Sequence, residues 1–393
     1  MRKTTYYNAR HVPPPVQEHW PKDCEELNTL ILDAPGGVGR VIFGGGQHIR
    51  PQHFAMRPFE AIRTDHCHRI LHLDRESALV TVEAGIRWGD LREKLREDGF
   101  SLCNYRPYPD AASLGGLLAK HSPGAPYWLS GDLREGCVSL SAVSPKIGAY
   151  RYLEAPRKAC GPDLRHLFMG GEGQLGAILD VTISVQKPFP ARLIIWEAPS
   201  ASSAVACMRA LSNSGLRATW CHWKRSAGKF HAVIHAPTRL LDAMVARVQA
   251  GLLALDSAPN LPAPTIQGDE EARDFRQELE WDMPEQRSRS AAPRTLAITY
   301  SLADLGAAID GLRAVEDVEI MDFSSHGATA YIAFEDIAAS RDFLTSESSE
   351  LALHAHSIIE PLSSETPDIH WPKWSETLKN EFDPNRRLAM GPQ

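Results

Sequence analysis

Apolar residues recur at helical spacing in two early stretches: Leu27, Leu30 and Ile31, then Leu91 and Leu95. Positions three and four apart share one face of a helix, so the pattern predicts helices over 21–32 and 88–98. Asp23 is placed to cap the first and Pro35-Gly36-Gly37 to stop it; Gly99 stops the second. Between and after them the pattern shortens to alternating or continuous apolar runs, which predicts strands at 41–43, 69–73, 78–84, 137–143 and 177–186. Asp74-Arg75-Glu76-Ser77 has the composition of a turn joining two of these strands. A further hairpin strand is expected around 150–153 and a short helix over 163–169. This order is α+β, without the regular strand–helix alternation of a parallel sheet.

Beyond Pro188 and Pro190 the pattern changes and then repeats. A strand at 193–196 leads to a helix over 201–212 with Val205, Met208 and Leu211 inward, a strand pair at 218–224 and 229–235, and a helix over 238–253. The same sequence of elements recurs as a strand at 295–300, a helix over 301–312, a pair at 317–323 and 328–334, and a helix over 336–344. Two β-α-β-β-α units of this kind predict one curved sheet. Residues 256–293 between them read as a connector with one short helix near 274–280.

A chain of 393 residues is long for one core, which suggests two domains. Its formal charge of -7 and lack of any Lys/Arg block argue against a nucleic-acid or anionic-membrane surface. No stretch approaches the roughly 18 apolar residues of a membrane span, and no apolar leader segment stands near Met1. The seven cysteines are scattered singly, without Cys-x-x-Cys or iron–sulfur spacing, as expected of reduced thiols in a cytoplasmic protein. Any iron–sulfur centre that took electrons from it would belong to a redox partner subunit.

Glycine clusters carry the chemistry. Val41-Ile42-Phe43 breaks into Gly44-Gly45-Gly46, and successive amides in such a turn can form a concave anion site. Ala112-Ser113-Leu114-Gly115-Gly116 looks like a turn entering a helix, whose N-terminal amides favour negative charge. Gly171-x-Gly173-x-x-Gly176 matches the dinucleotide fingerprint literally. That fingerprint needs a strand before it and a helix after it, whereas here a helix precedes and a strand follows. A nicotinamide site is therefore not expected.

Together with Val82-Glu83-Ala84-Gly85, Gly89-Asp90-Leu91, Gly131-Asp132-Leu133-Arg134-Glu135 and the 163–178 segment, these blocks resemble the FAD-binding domain of the vanillyl-alcohol oxidase / p-cresol methylhydroxylase superfamily. Leu378-Lys379-x-x-Phe382-Asp383-Pro384 near the end is similar to that family's closing motif. The resemblance implies a two-lobed FAD-binding domain of the PCMH type over 18–188, a substrate or cap domain over 189–370, and a segment over 371–393 returning to the first domain. Gly44, Gly45, Gly46, Gln47, His48 and Ile49, with Pro109, Ala112, Ser113, Gly115 and Gly116, would wrap the FAD pyrophosphate. Ser122 and Gly131 would line the cofactor channel, and Glu172, Gly173, Gly176 and Ile178 would hold the adenine end. Covalently flavinylated relatives carry histidine where Gln47 stands, so the flavin is expected to be non-covalent.

The two-unit cap resembles that of the FAD-binding subunit of glycolate oxidase. Within it, His222 and Lys224 alternate on one strand and are the expected catalytic pair, orienting the substrate and taking its hydroxyl proton. His231 and His235 share a face of the partner strand, and Asp322 and Tyr331 hold comparable places in the second unit. His354 and His356 could be read as a metal pair, but the glycine-rich His motif of metal-using relatives is missing, and no metal is expected. The expected function is FAD-dependent oxidation of a small 2-hydroxy acid of the glycolate or D-lactate type by hydride transfer to flavin N5. The alternatives are an aldonolactone, alditol or specialised-metabolite oxidase and, in a different class, a non-catalytic or electron-relay subunit of a redox complex.

Overall fold

The computed structural model describes residues 14–33, 39–46, 58–102, 108, 110–120, 133–152, 163–198, 200–213, 220–226, 229–253, 264–268, 295–301, 315–323, 327–334, 355–359, 373–383, 385 and 388. The first elements are β1 (Gln17–His19), α1 (Cys24–Leu32), β2 (Gly39–Phe43) and β3 (Phe59–Arg63). Asp23 caps α1 as expected, its carboxylate accepting from the Glu25 and Glu26 amides at 3.0 and 2.9 Å. The three strands form a parallel sheet in the order β1-β3-β2.

Neither β1 nor β3 is legible in the sequence pattern, and the reason is charge. Phe-Glu-Ala-Ile-Arg in β3 does not alternate, because Arg63 is buried along with Phe59, Ala61 and Ile62. Burial is tolerated because the guanidinium lies 4.6 Å from the centre of the Phe43 ring and pairs with Glu18 at 2.5 Å. Glu60 is held by Arg40 at 2.8 Å and His19 at 2.9 Å, and Arg40 also donates to the Leu30 carbonyl of α1.

Next come β4 (Ile70–Asp74), β5 (Leu79–Glu83), α2 (Trp88–Glu97), β6 (Ser101–Leu102), α3 (Leu114–Lys120), α4 (Leu133–Gly136), β7 (Cys137–Ser144), β8 (Gly148–Arg151), α5 (Arg165–Phe168) and β9 (Ala177–Gln186). They build an antiparallel sheet in the order β4-β5-β9-β7-β8, with β6 pairing on β9. The ten-residue β9 is buried along most of its length and is paired on both sides, which makes it the centre of this half. Leu91 and Leu95 of α2 and Leu114, Leu117 and Leu118 of α3 pack with Val181, Ile183 and Val185 of β9 in one core. The only carboxylate at the heart of β5, Glu83, is fully buried and takes three hydrogen bonds from the backbone and guanidinium of Arg69.

The remaining strands are β10 (Ala191–Ala198), β11 (Trp220–Ser226), β12 (Lys229–Pro237), β13 (Thr265–Gln267), β14 (Thr295–Ser301), β15 (Val315–Phe323), β16 (Gly327–Phe334) and β17 (Ala355–Ile359). With α6 (Ala201–Asn213) and α7 (Leu241–Leu253) they form a second assembly around one eight-stranded antiparallel sheet, in the order β13-β10-β12-β11-β15-β16-β14-β17. The order is palindromic: β11 meets β15 at the middle, and each half closes on an added edge strand. Both edge strands run against the sequence reading. β13 lies inside the stretch taken as a connector, and His356, weighed as half of a metal pair, is in β17. The connector helix near 274–280 and the second unit's helix at 336–344 lie outside the described residues, as does the helix expected over 301–312 except for Ser301, which ends β14.

Leu193 of β10 is fully buried and belongs to the same core as α2, α3 and β9, with Ile195 packed against it. The final helix α8 (Lys373–Phe382) also returns to the first half. The Phe382 carbonyl accepts from the Ser144 hydroxyl at 2.7 Å and the Lys146 amide at 3.2 Å. Leu388 bridges to Arg40 beside β2, and its amide donates to the buried Asp383.

Two measurements check this packing. Leu193→Ala removes a fully buried side chain from the shared core and costs about 2–5 kcal/mol in urea unfolding. Burial pushes the Glu60 carboxyl up, but hydrogen bonds from Arg40 and His19 outweigh it and hold the group below its ordinary 4.5. A folded-state pKa below the unfolded one gives stability that is present above that value and lost as pH falls through the folded one. Glu60→Gln is therefore less stable than the parent at pH 7, and the gap narrows in unfolding curves as pH is lowered past the carboxylate range.

Candidate functional site

One cleft is lined by residues from all three glycine blocks: Gly44–Gly46 after β2, Ala112–Gly116 entering α3, and Glu172–Ile178 entering β9. Its open space, solvent-filled mouth included, is about 910 Å³. Eleven residues named from the sequence meet there: Gly44, Gly45, Gly46, Ala112, Ser113, Gly115, Gly116, Glu172, Gly173, Gly176 and Ile178.

Ser113 joins the first two blocks. Its hydroxyl, in a residue only 2% exposed, accepts from the Gly45 amide at 3.3 Å and the Gly116 amide at 3.2 Å. The second bond is an N-cap of α3; the first ties that cap to the turn after β2. No side chain fits between them. A Cβ on Gly44 would lie 1.8 Å from Ser113 Oγ, and one on Gly45 would lie 2.0 Å from the Ala111 carbonyl. The 110–116 segment is in turn fastened along 84–89 through Gly115 N to Ala84 O at 2.7 Å, Leu114 N to Ile86 O and Trp88 N to Ala112 O.

These bonds correct one expectation. The first-turn amides of α3 at Leu114, Gly115 and Gly116 are all used within the protein, so they are not the anion donors the sequence suggested. The amides of Gly44, Gly46, Ala112 and Ser113, by contrast, bond to no described residue, and Ala112 and Ser113 are buried. A buried amide without a partner costs about 1–3 kcal/mol. Two buried and two half-buried amides of this kind on small residues around one cleft suit a phosphate group.

The third block is held from α3. Gly170 and Glu172 donate to the Leu118 and Ala119 carbonyls, each at 2.9 Å. Gly170 and Gly173 have φ of 83° and 76°, and Glu172 between them has φ 48°, a left-handed conformation rarely adopted by a residue with a side chain. Lys120, at the end of α3, is the one cationic residue among the described residues lining the cleft. Phe168 closes its inner side and packs edge-on against Phe382 of α8, ring centres 6.3 Å apart.

Thr64 also lines the cleft, and charged residues stand behind the lining. Thr64 donates to the Phe43 carbonyl from both its amide and its hydroxyl, at 3.0 and 3.2 Å. Arg87 pairs with Asp65 and donates to the Ala111 carbonyl at 3.0 Å, bracing the turn behind Gly45. Burial pushes the Arg63 guanidinium down to about 10, against the opposing pull of Asp65, so it stays charged at neutral pH. Cys137 lies deep in the sheet, where burial raises its thiol to about 12. Among the described residues no cluster of His, Cys, Asp and Glu has metal-binding geometry.

Gln47, His48, Ile49, Pro109, Ser122 and Gly131 lie outside the described residues. His222 and Lys224 are on β11 of the second sheet, where Lys224 stands opposite His231 on one side and Glu319 on the other. Sequence reasoning missed Thr64, Ala119, Lys120 and Phe168 as lining residues. Thr64 follows the unrecognised β3, while Lys120 could have been found from the helix that Ser113 caps.

Residues 19–148 match the family model described as FAD binding domain. Among curated proteins, the chain is similar to D-lactate dehydrogenase [cytochrome] 1, mitochondrial, of Saccharomyces cerevisiae, 26% identical over 54% of this chain and 37% of that protein. The uncharacterised FAD-linked oxidoreductase YgcU of Escherichia coli (strain K12) is 34% identical over 31% of this chain and 25% of its own length. Alkyldihydroxyacetonephosphate synthase of Caenorhabditis elegans is 28% identical over 42% of this chain and 29% of its own. The matched region thus spans less than two-fifths of each relative. A solved structure of an alkyldihydroxyacetonephosphate synthase superposes on 95% of this chain and 76% of that one, with a TM-score of 0.72 at 17% identity, which establishes the same fold.

Gly45→Ala tests the cleft directly. Its Cβ would force the two glycine turns apart, so the variant should keep its circular dichroism but lose bound flavin absorbance after purification; flavin content equal to the parent would refute the geometry.

Proposed function

From a chain whose residues 19–148 belong to the FAD-binding domain family, we propose an FAD-dependent oxidoreductase that oxidises a small 2-hydroxy acid of the glycolate or D-lactate type. The observation that carries the cofactor half is the cleft lined by two glycine turns, four of whose amides bond to no described residue. In this reading Gly44, Gly46, Ala112 and Ser113 hold the pyrophosphate, Lys120 adds positive charge beside it, and the Glu172–Ile178 strand entry supports the adenine end. The flavin is bound non-covalently. When bound, FAD supplies the two-electron acceptor for a substrate C–H bond.

The substrate class rests on the similarity to D-lactate dehydrogenases. The protein's own share of the chemistry is to orient the carboxylate, exclude water and accept the hydroxyl proton. His222 and Lys224 on β11 are the proposed residues for these tasks. We assign residues 18–188 and 371–393 to the FAD domain and 189–370 to the cap, with a cytoplasmic setting and a separate redox partner subunit as electron acceptor. Among the described residues no helix is long and apolar enough to cross a membrane.

Anaerobic mixing of the FAD-loaded chain with glycolate, D-lactate, an aldonolactone and an alditol decides the reading. Bleaching of the flavin band by a hydroxy acid supports it, and bleaching only by the polyol or lactone moves the substrate class. A yellow protein that no member of the panel reduces contradicts the enzyme and favours an electron-relay subunit.

A further inference from the structure

Three of the four amides that bond to no described residue have something in common: the carbonyl at the other end of the same peptide unit is held by a donor. Phe43 O, across the peptide from Gly44 N, accepts from both the amide and the hydroxyl of Thr64, at 3.0 and 3.2 Å. Ala111 O, across from Ala112 N, accepts from Arg87 Nη1 at 3.0 Å. Ala112 O, across from Ser113 N, accepts from the Trp88 amide at 2.8 Å. A trans peptide is planar, with its C=O and N–H pointing in opposite directions. A donor that fixes the carbonyl therefore also fixes where the amide hydrogen points. Ala112 and Ser113 line the cleft, whereas Arg87 and Trp88 are not among the described lining residues. Their two carbonyls are thus held from behind the lining, and the amides are left to face the cleft.

Two of these holds come from side chains. Thr64 is only 5% exposed and adds its hydroxyl to a bond its own amide already makes. The Ala111 carbonyl, by contrast, relies on the Arg87 guanidinium as its donor among the described residues. Arg87 is the N-cap of α2, yet its side chain makes no cap hydrogen bond, at a position where Ser, Thr, Asp or Asn is strongly preferred. Its side chain, 18% exposed, instead pairs through Nη2 with Asp65 and packs against the first glycine turn, where a Cβ on Gly45 would lie 2.7 Å from Nη1. Its backbone bridges to Ser113. One residue therefore touches both glycine turns, and a local preference is given up where a site needs another residue.

We propose that Arg87 is a positioning residue for the cofactor's diphosphate, holding the Ala111–Ala112 peptide with its amide toward the cleft, and that the Thr64 hydroxyl does the same for Gly44. The assignment rests on the FAD reading above and says what makes the turns select an anion. A peptide free to turn over would present the Ala111 carbonyl, whose partial negative charge repels a phosphate oxygen. A charged donor on that carbonyl also polarises the peptide and strengthens the Ala112 amide as a donor. The site is thereby set before the ligand arrives. Asp65 holds the guanidinium in place and offsets its charge, which moderates the pull on the diphosphate.

The test titrates flavin-free protein with FAD, with ADP, which carries the diphosphate without the ring, and with riboflavin, which carries the ring without the diphosphate. Fluorescence quenching reads the two flavins and calorimetry reads ADP. Arg87→Met should weaken FAD and ADP about tenfold or more, the loss expected for a hydrogen bond from a charged group, while riboflavin binds as in the parent. Thr64→Val should weaken the same two ligands by about three- to tenfold, as for one neutral hydrogen bond, and Thr64→Ser should restore them. Asp65→Asn removes the offsetting charge and should tighten both. Should Arg87→Met not fold, Thr64→Val with its Ser rescue decides alone. Parent-like FAD and ADP affinity in these variants overturns the assignment and leaves the FAD reading intact. Equal weakening of FAD and riboflavin, or an Asp65→Asn loss as large as that of Arg87→Met, reduces the pair to a structural brace and overturns it as well. A parent protein that binds neither FAD nor ADP overturns both readings.

Discussion

The constraint on which the cleft depends is the shared hydroxyl of Ser113. One oxygen accepts from the amide of a turn after a parallel strand and from the amide in the first turn of a helix, elements that lie 68 residues apart in sequence at Gly45. That double acceptance brings two glycine turns close enough that neither Gly44 nor Gly45 can carry a side chain. It also uses up α3's first-turn donor, so that the remaining inward amides come from the turns themselves. The site is thereby built from backbone, whose geometry is fixed by packing on both sides and needs little reorganisation when an anion arrives.

Everything around the clasp preserves this spacing. Residues 84–89 hold the Ala112–Gly116 turn by a short ladder of backbone bonds, and Arg87 with Asp65 braces it from behind. The Gly170–Gly173 turn hangs from the last carbonyls of α3, at the cost of a left-handed Glu172. Phe382 backs Phe168, and Leu388 bridges to Arg40, so the last described elements of the chain support both ends of the same cleft. The eight-stranded sheet is joined to this body through Leu193 and Ile195, which turns one of its faces toward the cofactor half.

Much of the site was legible in the sequence because glycine reports backbone conformation and close approach directly. Gly44–Gly46, Ser113, Gly115, Gly116, Gly173 and Gly176 were all named before the structure placed them around one cleft. The donors within those blocks were not legible: whether the amide of Gly115 faces a ligand or the Ala84 carbonyl depends on tertiary pairing. β3 was hidden because two of its five positions are charged, and their ionic partners, Arg40 and His19 for Glu60 and Glu18 for Arg63, stand 20 to 45 residues away. The internal repeat was visible in the order of elements, but its edge strands β13 and β17 are short and sit in polar surroundings.

The central claim is that the two glycine turns bind FAD through its pyrophosphate. Titrating flavin-free protein with FAD and with riboflavin, each followed by quenching of flavin fluorescence, tests it most directly. The account predicts saturable FAD binding at one equivalent and riboflavin binding weaker by about two orders of magnitude or more, the loss expected when several charge-assisted amide bonds are removed. Equal affinity for the two flavins, or no uptake of FAD, would contradict it.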